Sequence, residues 1–127
     1  ISSFWGKSNI KLSKNSGNKS NHISTATNSA LDLANGEFVT FLDHDDELHI
    51  HALATVVAYL NENHDLDLLY SDEDKIDQYN NRSDPFFKPD WSPDLLLSQN
   101  YICHLAIYRR DFLKRLFFYR RTCENII

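Results

Sequence analysis

Apolar positions set the rhythm of this chain from Ile23 onward. Ile23, Ala26, Ala30, Leu33 and Ala34 recur at helical spacing, with Asn28, Ser29 and Asp32 elsewhere around the turn. Asn21 or Ser24 suits the N-cap of this helix, and Asn35-Gly36 suits its stop. Phe38-Val39-Thr40-Phe41-Leu42 then predicts a short strand buried on both faces. Leu53, Val56, Val57 and Leu60 mark one stripe of an amphipathic helix over 48–62, expected to pack on strand 38–42. A second strand is predicted over 66–70. Residues 78–93 hold all three prolines and read as a long loop, with a turn at Tyr79-Asn80-Asn81-Arg82. Ser92-Pro93-Asp94 opens a helix through Leu95-Leu96-Leu97, residues 103–108 form a third strand, and 109–116 a short basic helix. Strands alternate with helices, so the expected class is α/β with a largely parallel sheet. Residues 1–21 read as loop or frayed edge, with Ile10 and Leu12 the only strand hint. No internal repeat is visible.

The 127 residues suit one domain, and 42% apolar with 13% aromatic content excludes disorder along the whole length. No apolar run reaches the roughly 20 residues of a membrane-spanning helix. The polar, lysine-bearing start from Ile1 to Lys14 does not read as a signal peptide. Methionine is absent, which points to a piece of a longer chain or a processed product. Charge is segregated. Residues 1–31 carry four lysines and no acid; residues 32–100 carry sixteen acids against Lys75, Arg82 and Lys88; residues 101–127 carry six bases against Asp111 and Glu124. An acidic middle repels phosphate backbones and disfavours a nucleic-acid groove, while suiting a cation or hydroxyl-rich ligands. Cys103 and Cys123 make neither a disulfide framework nor a zinc site, and Cys103 reads as a small core residue in a reducing cytoplasm. Three glycines exclude a Gly-rich phosphate loop, and no Gly-x-Ser-x-Gly elbow is present.

The candidate chemistry follows strand 38–42 directly. Ligands of parallel sheets bind at the carboxyl ends of strands, where Asp43-His44-Asp45-Asp46-Glu47 falls. In an extended segment alternate side chains share a face, so Asp43 and Asp45 would point together and His44 away. Two carboxylates so placed suit Mg²⁺ or Mn²⁺, which can neutralise a diphosphate leaving group. Asp46 and Glu47 suit the start of the helix near Leu48. Asp72-x-Asp74 lacks the glycine of a calcium loop, and His49 and His51 point to different faces of a helix. His104 opens an apolar strand and reads as a satisfied core histidine. Trp91 with Phe86 and Phe87 suits either stacking on a sugar ring or packing of the long loop.

Several stretches belong together: the run 21–31, Ala34-Asn35-Gly36-Glu37-Phe38, Leu42-Asp43-His44-Asp45-Asp46-Glu47-Leu48, Tyr70-Ser71-Asp72-Glu73-Asp74-Lys75-Ile76, Phe87-Lys88-Pro89-Asp90-Trp91-Ser92-Pro93-Asp94-Leu95-Leu96, and Gln99-Asn100-Tyr101-Ile102. As a set they resemble family 2 glycosyltransferases of the GT-A fold, in the bacterial branch that builds rhamnan and O-antigen type surface polysaccharide. The resemblance covers about residues 20–113. It implies one partial GT-A domain, incomplete at both ends, with residues 1–20 and 114–127 outside the family pattern. It implies a nucleotide-diphosphate sugar as donor and metal-dependent transfer with inversion. The acceptor would be a saccharide or lipid-linked saccharide, which places the protein in the cytoplasm or at the inner face of the membrane, with peripheral membrane contact. By position, Asp45 would ligate Mn²⁺ or Mg²⁺, Asp43 would serve the ribose or the metal, and Asn28 would line the nucleotide pocket. A first strand that grips the nucleotide base and an acidic motif that supplies the catalytic base have no counterpart here, so the catalytic residue is unassigned. The expectation for the isolated chain is therefore little turnover. The rival expectation is a non-catalytic remnant of a split or truncated gene that at most binds sugar nucleotide or a partner chain.

Overall fold

The computed structural model describes the backbone of residues 23–123 and the side chains of residues 27–116. The expected loop at 1–21, the helix caps at Asn21 and Ser24, and the side chains of the basic tail lie outside them. The chain divides into two units, residues 1–36 and 37–127. In the first, α1 (Ile23–Leu33) forms where the helical spacing places it, and the Ala34 N–H donates to the Leu31 carbonyl at 3.2 Å just beyond it.

The second unit contains β1 (Phe38–Thr40), α2 (Ala52–Glu62), β2 (Leu68–Tyr70), β3 (Glu73–Ile76), β4 (Arg82–Phe86), α3 (Pro93–Ser98), β5 (Ala106–Arg109) and α4 (Arg110–Cys123). It is α/β, with one correction to the expected sheet. β1 and β2 point the same way but do not pair; β5 lies between them and is antiparallel to both. The physical reason is visible in β5 itself. Ala106 and Ile107 are buried, so this most buried of the three strands takes the centre, and both its edges are paired. Its register sets Thr40 and Leu69 on either side of Ile107.

Arg109, at the end of β5, ties the two flanking strands together. Its guanidinium pairs with Glu37 at 2.6 Å and Asp67 at 3.2 Å, donates to the Leu66 carbonyl, and lies 4.7 Å above the Phe38 ring. The core lies just before β5. Tyr101 is 1% exposed and clusters with Ile102 and Ala106, against Leu68, Tyr70, Leu95 and Tyr108. Its ring meets Tyr70 edge-on at 5.7 Å, and its hydroxyl accepts from the Ser92 N–H at 3.0 Å. Burial, and after it the neighbouring Tyr101, push the Tyr70 phenol up to about 12, so it stays a donor to the Pro89 carbonyl.

Two further expectations are corrected. Part of the predicted long loop is a hairpin, β3–β4, with an irregular register between Glu73 and Lys75. The turn signal was sound: the Asp77 carboxylate accepts from the N–H groups of Tyr79 and Asn81, and Asn80 takes φ 64°. Pro85 is tolerated because β4 is an exposed edge. The α2 stripe, in turn, is not buried. Leu53 is 45% and Val57 43% exposed, and no residue of α2 is buried. The spacing is amphipathic, yet of the stripe only Val56 and Leu60 reach half-burial.

These contrasts yield two expected outcomes. Tyr101→Ala should cost about 3–5 kcal/mol in urea denaturation, whereas Leu53→Ala should cost about 0.5 kcal/mol or less, as a surface change does. Equal losses at the two positions would contradict the placement of the core. The hairpin should respond to acid in a defined window. Asp74 is held below the ordinary carboxylate value by its hydrogen bond to Arg82, and Asp77 by its hydrogen bond to Asn81. Their contribution is complete above the unfolded value of about 3.9 and disappears as pH falls through the lower folded values. Amide shifts of residues 73–86 should therefore hold steady from about pH 7 to 5, with loosening confined to pH values below about 4. Opening of the hairpin at pH 6 would show that these pairs do not hold it.

Candidate functional site

The strand order brings three chain segments to one edge of the sheet. β1 and β2 both end there, and β5 begins there, so the turn after Thr40, the run from Ser71 to Asp74, and His104 converge. The Ser71 N–H donates to the Leu105 carbonyl at 3.1 Å and extends the pairing of β2 to that edge. A cleft of about 510 Å³ opens here, lined by Phe41, Leu42, Asp45–Glu47, Ser71–Asp74 and His104 among others. Its six carboxylates, Asp45, Asp46, Glu47, Asp72, Glu73 and Asp74, come from the segment after β1 and from the segment between β2 and the start of β3.

The segment after β1 is a turn, not an extension of the strand. The Asp46 N–H donates to the Asp43 carbonyl at 3.2 Å, which closes a four-residue turn over 43–46. Alternation of side chains holds only for extended backbone, so the expected same-face pairing of Asp43 with Asp45 does not form. The turn places Asp43 with Asp46 instead, and His104 joins them: one ligand atom from each lies within 4.8 Å of the others. Asp45 points to the cleft wall, its side chain 76% exposed and 3.6 Å from the His44 imidazole. Asn28 sits on α1 in the first unit, its Oδ1 shielded from solvent without a hydrogen bond.

His104 is the member of this group that the sequence reading placed elsewhere. It is not a core histidine: its imidazole Nδ1 lies 3.5 Å from Asp46 Oδ2, at the head of the cleft. Asp46 Oδ2 is buried yet accepts no hydrogen bond. A shielded anionic oxygen of this kind is costly unless a cation or donor meets it. The signal available in the sequence was the polar pair Cys103-His104 interrupting an apolar run, and Cys103 is likewise exposed and not in the core. Its Sγ lies 3.4 Å from His104 Nε2.

The carboxylates after β2 are already engaged. Asp72 Oδ1 accepts the Lys88 N–H at 2.8 Å, Glu73 pairs with the Lys88 ammonium at 3.0 Å, and Asp74 takes two hydrogen bonds from the Arg82 guanidinium at 2.7 Å. Held below its ordinary value by Arg82, Asp74 is a poor proton acceptor. Phe87 and Trp91 are exposed, so they do not serve to pack the long loop onto the core.

Together these features outline an α/β domain with an acidic cleft and a carboxylate–carboxylate–imidazole group at its strand ends. Comparison with known proteins gives that outline a family. The pattern of Glycosyl transferase family 2 matches residues 6–117, and the chain belongs to this family. It is 40% identical over 104 residues, 82% of the chain, to an uncharacterized protein of Sinorhizobium fredii. It is 47% identical over 91 residues, 72% of the chain, to the O-antigen biosynthesis protein RfbC of Myxococcus xanthus. A 35-residue stretch, 28% of the chain, is 60% identical to the GalNAc(5)-diNAcBac-PP-undecaprenol beta-1,3-glucosyltransferase of Campylobacter jejuni. The chain spans only 11%, 7% and 11% of these three relatives. No solved structure gives a significant match. Among the described residues, no helix is long and apolar enough to cross a membrane.

Proposed function

We propose that this chain is the donor-binding part of a metal-dependent, inverting glycosyltransferase that takes a nucleotide-diphosphate sugar. The observation that carries the reading is the buried, unbonded Asp46 Oδ2 facing His104 and Asp43 at the head of an acidic cleft. Two carboxylates and an imidazole fit a divalent cation. The oxygen ligands suit Mg²⁺ or Mn²⁺, and the nitrogen favours Mn²⁺ over Mg²⁺, which prefers an all-oxygen shell. A diphosphate would be repelled by six carboxylates unless a cation lay between them. When bound, the cation supplies Lewis-acid neutralisation of the departing diphosphate.

The protein residues then divide the work. Asp43 and Asp46, set side by side by their turn, and His104, presented from the edge of β5, hold the cation. Asp45, on the cleft wall, reaches toward the ribose or completes the metal shell. The family resemblance adds Asn28 as a nucleotide contact. Relatives named for O-antigen biosynthesis and for glucosyl transfer on an undecaprenol-linked saccharide support a saccharide or lipid-linked acceptor. The chain is read as one partial domain of a larger enzyme, consistent with the small share of each relative that it spans.

Calorimetric titration with Mn²⁺ tests the reading. The native chain should bind, and Asp46→Asn or His104→Ala should each weaken binding roughly tenfold or more, since even indirect partners of a bound metal carry effects of that size. Asp45→Asn should change Mn²⁺ affinity less and weaken binding of nucleotide-diphosphate sugars in the presence of Mn²⁺. Absence of Mn²⁺ binding to the native chain, or equal affinity of the Asp46→Asn variant, would overturn the assignment.

A further inference from the structure

His104 belongs to neither a helix nor a strand, yet its imidazole is aimed at Asp46. What steadies it is a buried ion pair. The Lys88 side chain is 1% exposed, and its ammonium meets three oxygens: Glu73 Oε2 at 3.0 Å, the Ile102 carbonyl at 3.2 Å and the His104 carbonyl. An ammonium has three N–H donors, so all three are used. Glu73 Oε2 also accepts the His104 N–H at 3.2 Å. The amide and the carbonyl of His104 are thus gripped by the two halves of one ion pair. The strap that carries the lysine is fixed as well. The Lys88 N–H donates to Asp72, and the Pro89 carbonyl accepts from the Tyr70 hydroxyl at 2.8 Å.

Burying an ammonium is unfavourable, and an apolar side chain of similar size would fill the same space without that penalty. Stability alone therefore does not account for a lysine here, whereas geometry does. An ammonium can converge on three acceptors at once and set a short irregular segment in one conformation, which an apolar side chain cannot. Neither Lys88 nor Glu73 is among the three groups at the head of the cleft. We infer that Lys88 and Glu73 are positioning residues that hold His104 opposite the Asp43–Asp46 turn. The inference rests on the metal reading for its consequence, though not for its geometry.

The test uses the whole chain and the variants Lys88→Met, Lys88→Arg, His104→Ala and the Lys88→Met/His104→Ala double. In the metal-free native protein, side-chain couplings by NMR should show His104 in one χ1 rotamer. In folded Lys88→Met they should show averaging. Mn²⁺ affinity should fall about 10–100-fold in Lys88→Met, the range of groups that orient a metal ligand. In the His104→Ala background, Lys88→Met should produce no further loss. Should Lys88→Met fail to fold, Lys88→Arg keeps the charge but replaces three convergent donors with a planar fork, and it should show the same averaging. A single His104 rotamer in the folded variant, or a loss that adds fully to that of His104→Ala, would overturn the inference. If the native chain binds no Mn²⁺, the metal reading falls, and the rotamer measurement alone decides the positioning.

Discussion

The second unit depends on one strand being shared by two others. β5 pairs along both edges, so β1 and β2 are held in a common sheet although they never touch as neighbours. Its first two residues are the buried ones, and the segment leading into it supplies Tyr101 and Ile102 to the core. Arg109 closes the far end by bonding groups from both flanking strands, including the Leu66 carbonyl and the Glu37 and Asp67 carboxylates. Backbone pairing provides the regular part of this arrangement, and Arg109 reinforces it where the strands diverge.

That shared strand also decides where chemistry can occur. Because β5 runs against its neighbours, its beginning lies beside their ends, and three polar segments distant in sequence meet at one edge. Asp46 and His104 are far apart along the chain but 3.5 Å apart across the cleft. Concentrating carboxylates in this way is unfavourable without compensation. The protein compensates some of them internally, Asp74 through Arg82 and Glu73 through Lys88, and leaves Asp46 Oδ2 without a hydrogen bond, with the His104 imidazole 3.5 Å away. The difference separates the structural acids from those open to a ligand.

Burial within the described residues is unevenly distributed. The run from Tyr101 to Ile107 holds most of the buried apolar side chains, while α2 keeps Leu53 and Val57 exposed. The hairpin β3–β4 stands outside the main sheet; its strands pair with each other, and ion pairs and the Asp77 turn add to that pairing. The cleft is therefore built between a packed element and a polar one, which suits a site that admits a charged ligand on one side and keeps its ligating groups fixed on the other.

Much of this was readable from the sequence because it depends on local rules. Helical spacing marked α1 and α2, short apolar runs marked β1 and β2, and Pro93 marked the opening of α3. The acidic run after Phe38–Leu42 identified the region of the cleft, and the motif resemblance identified the family. Tertiary structure alone decided the rest. The antiparallel insertion of β5 is a long-range pairing with no local signature. Asp46 replaced Asp45 beside Asp43 because a single hydrogen bond turned the backbone, which periodicity cannot foresee. His104 looked like a core residue because its sequence neighbours are apolar, and only the meeting of strand ends set it facing a carboxylate. Local patterns report which residues want burial; which polar groups then face each other is settled by how distant segments pair.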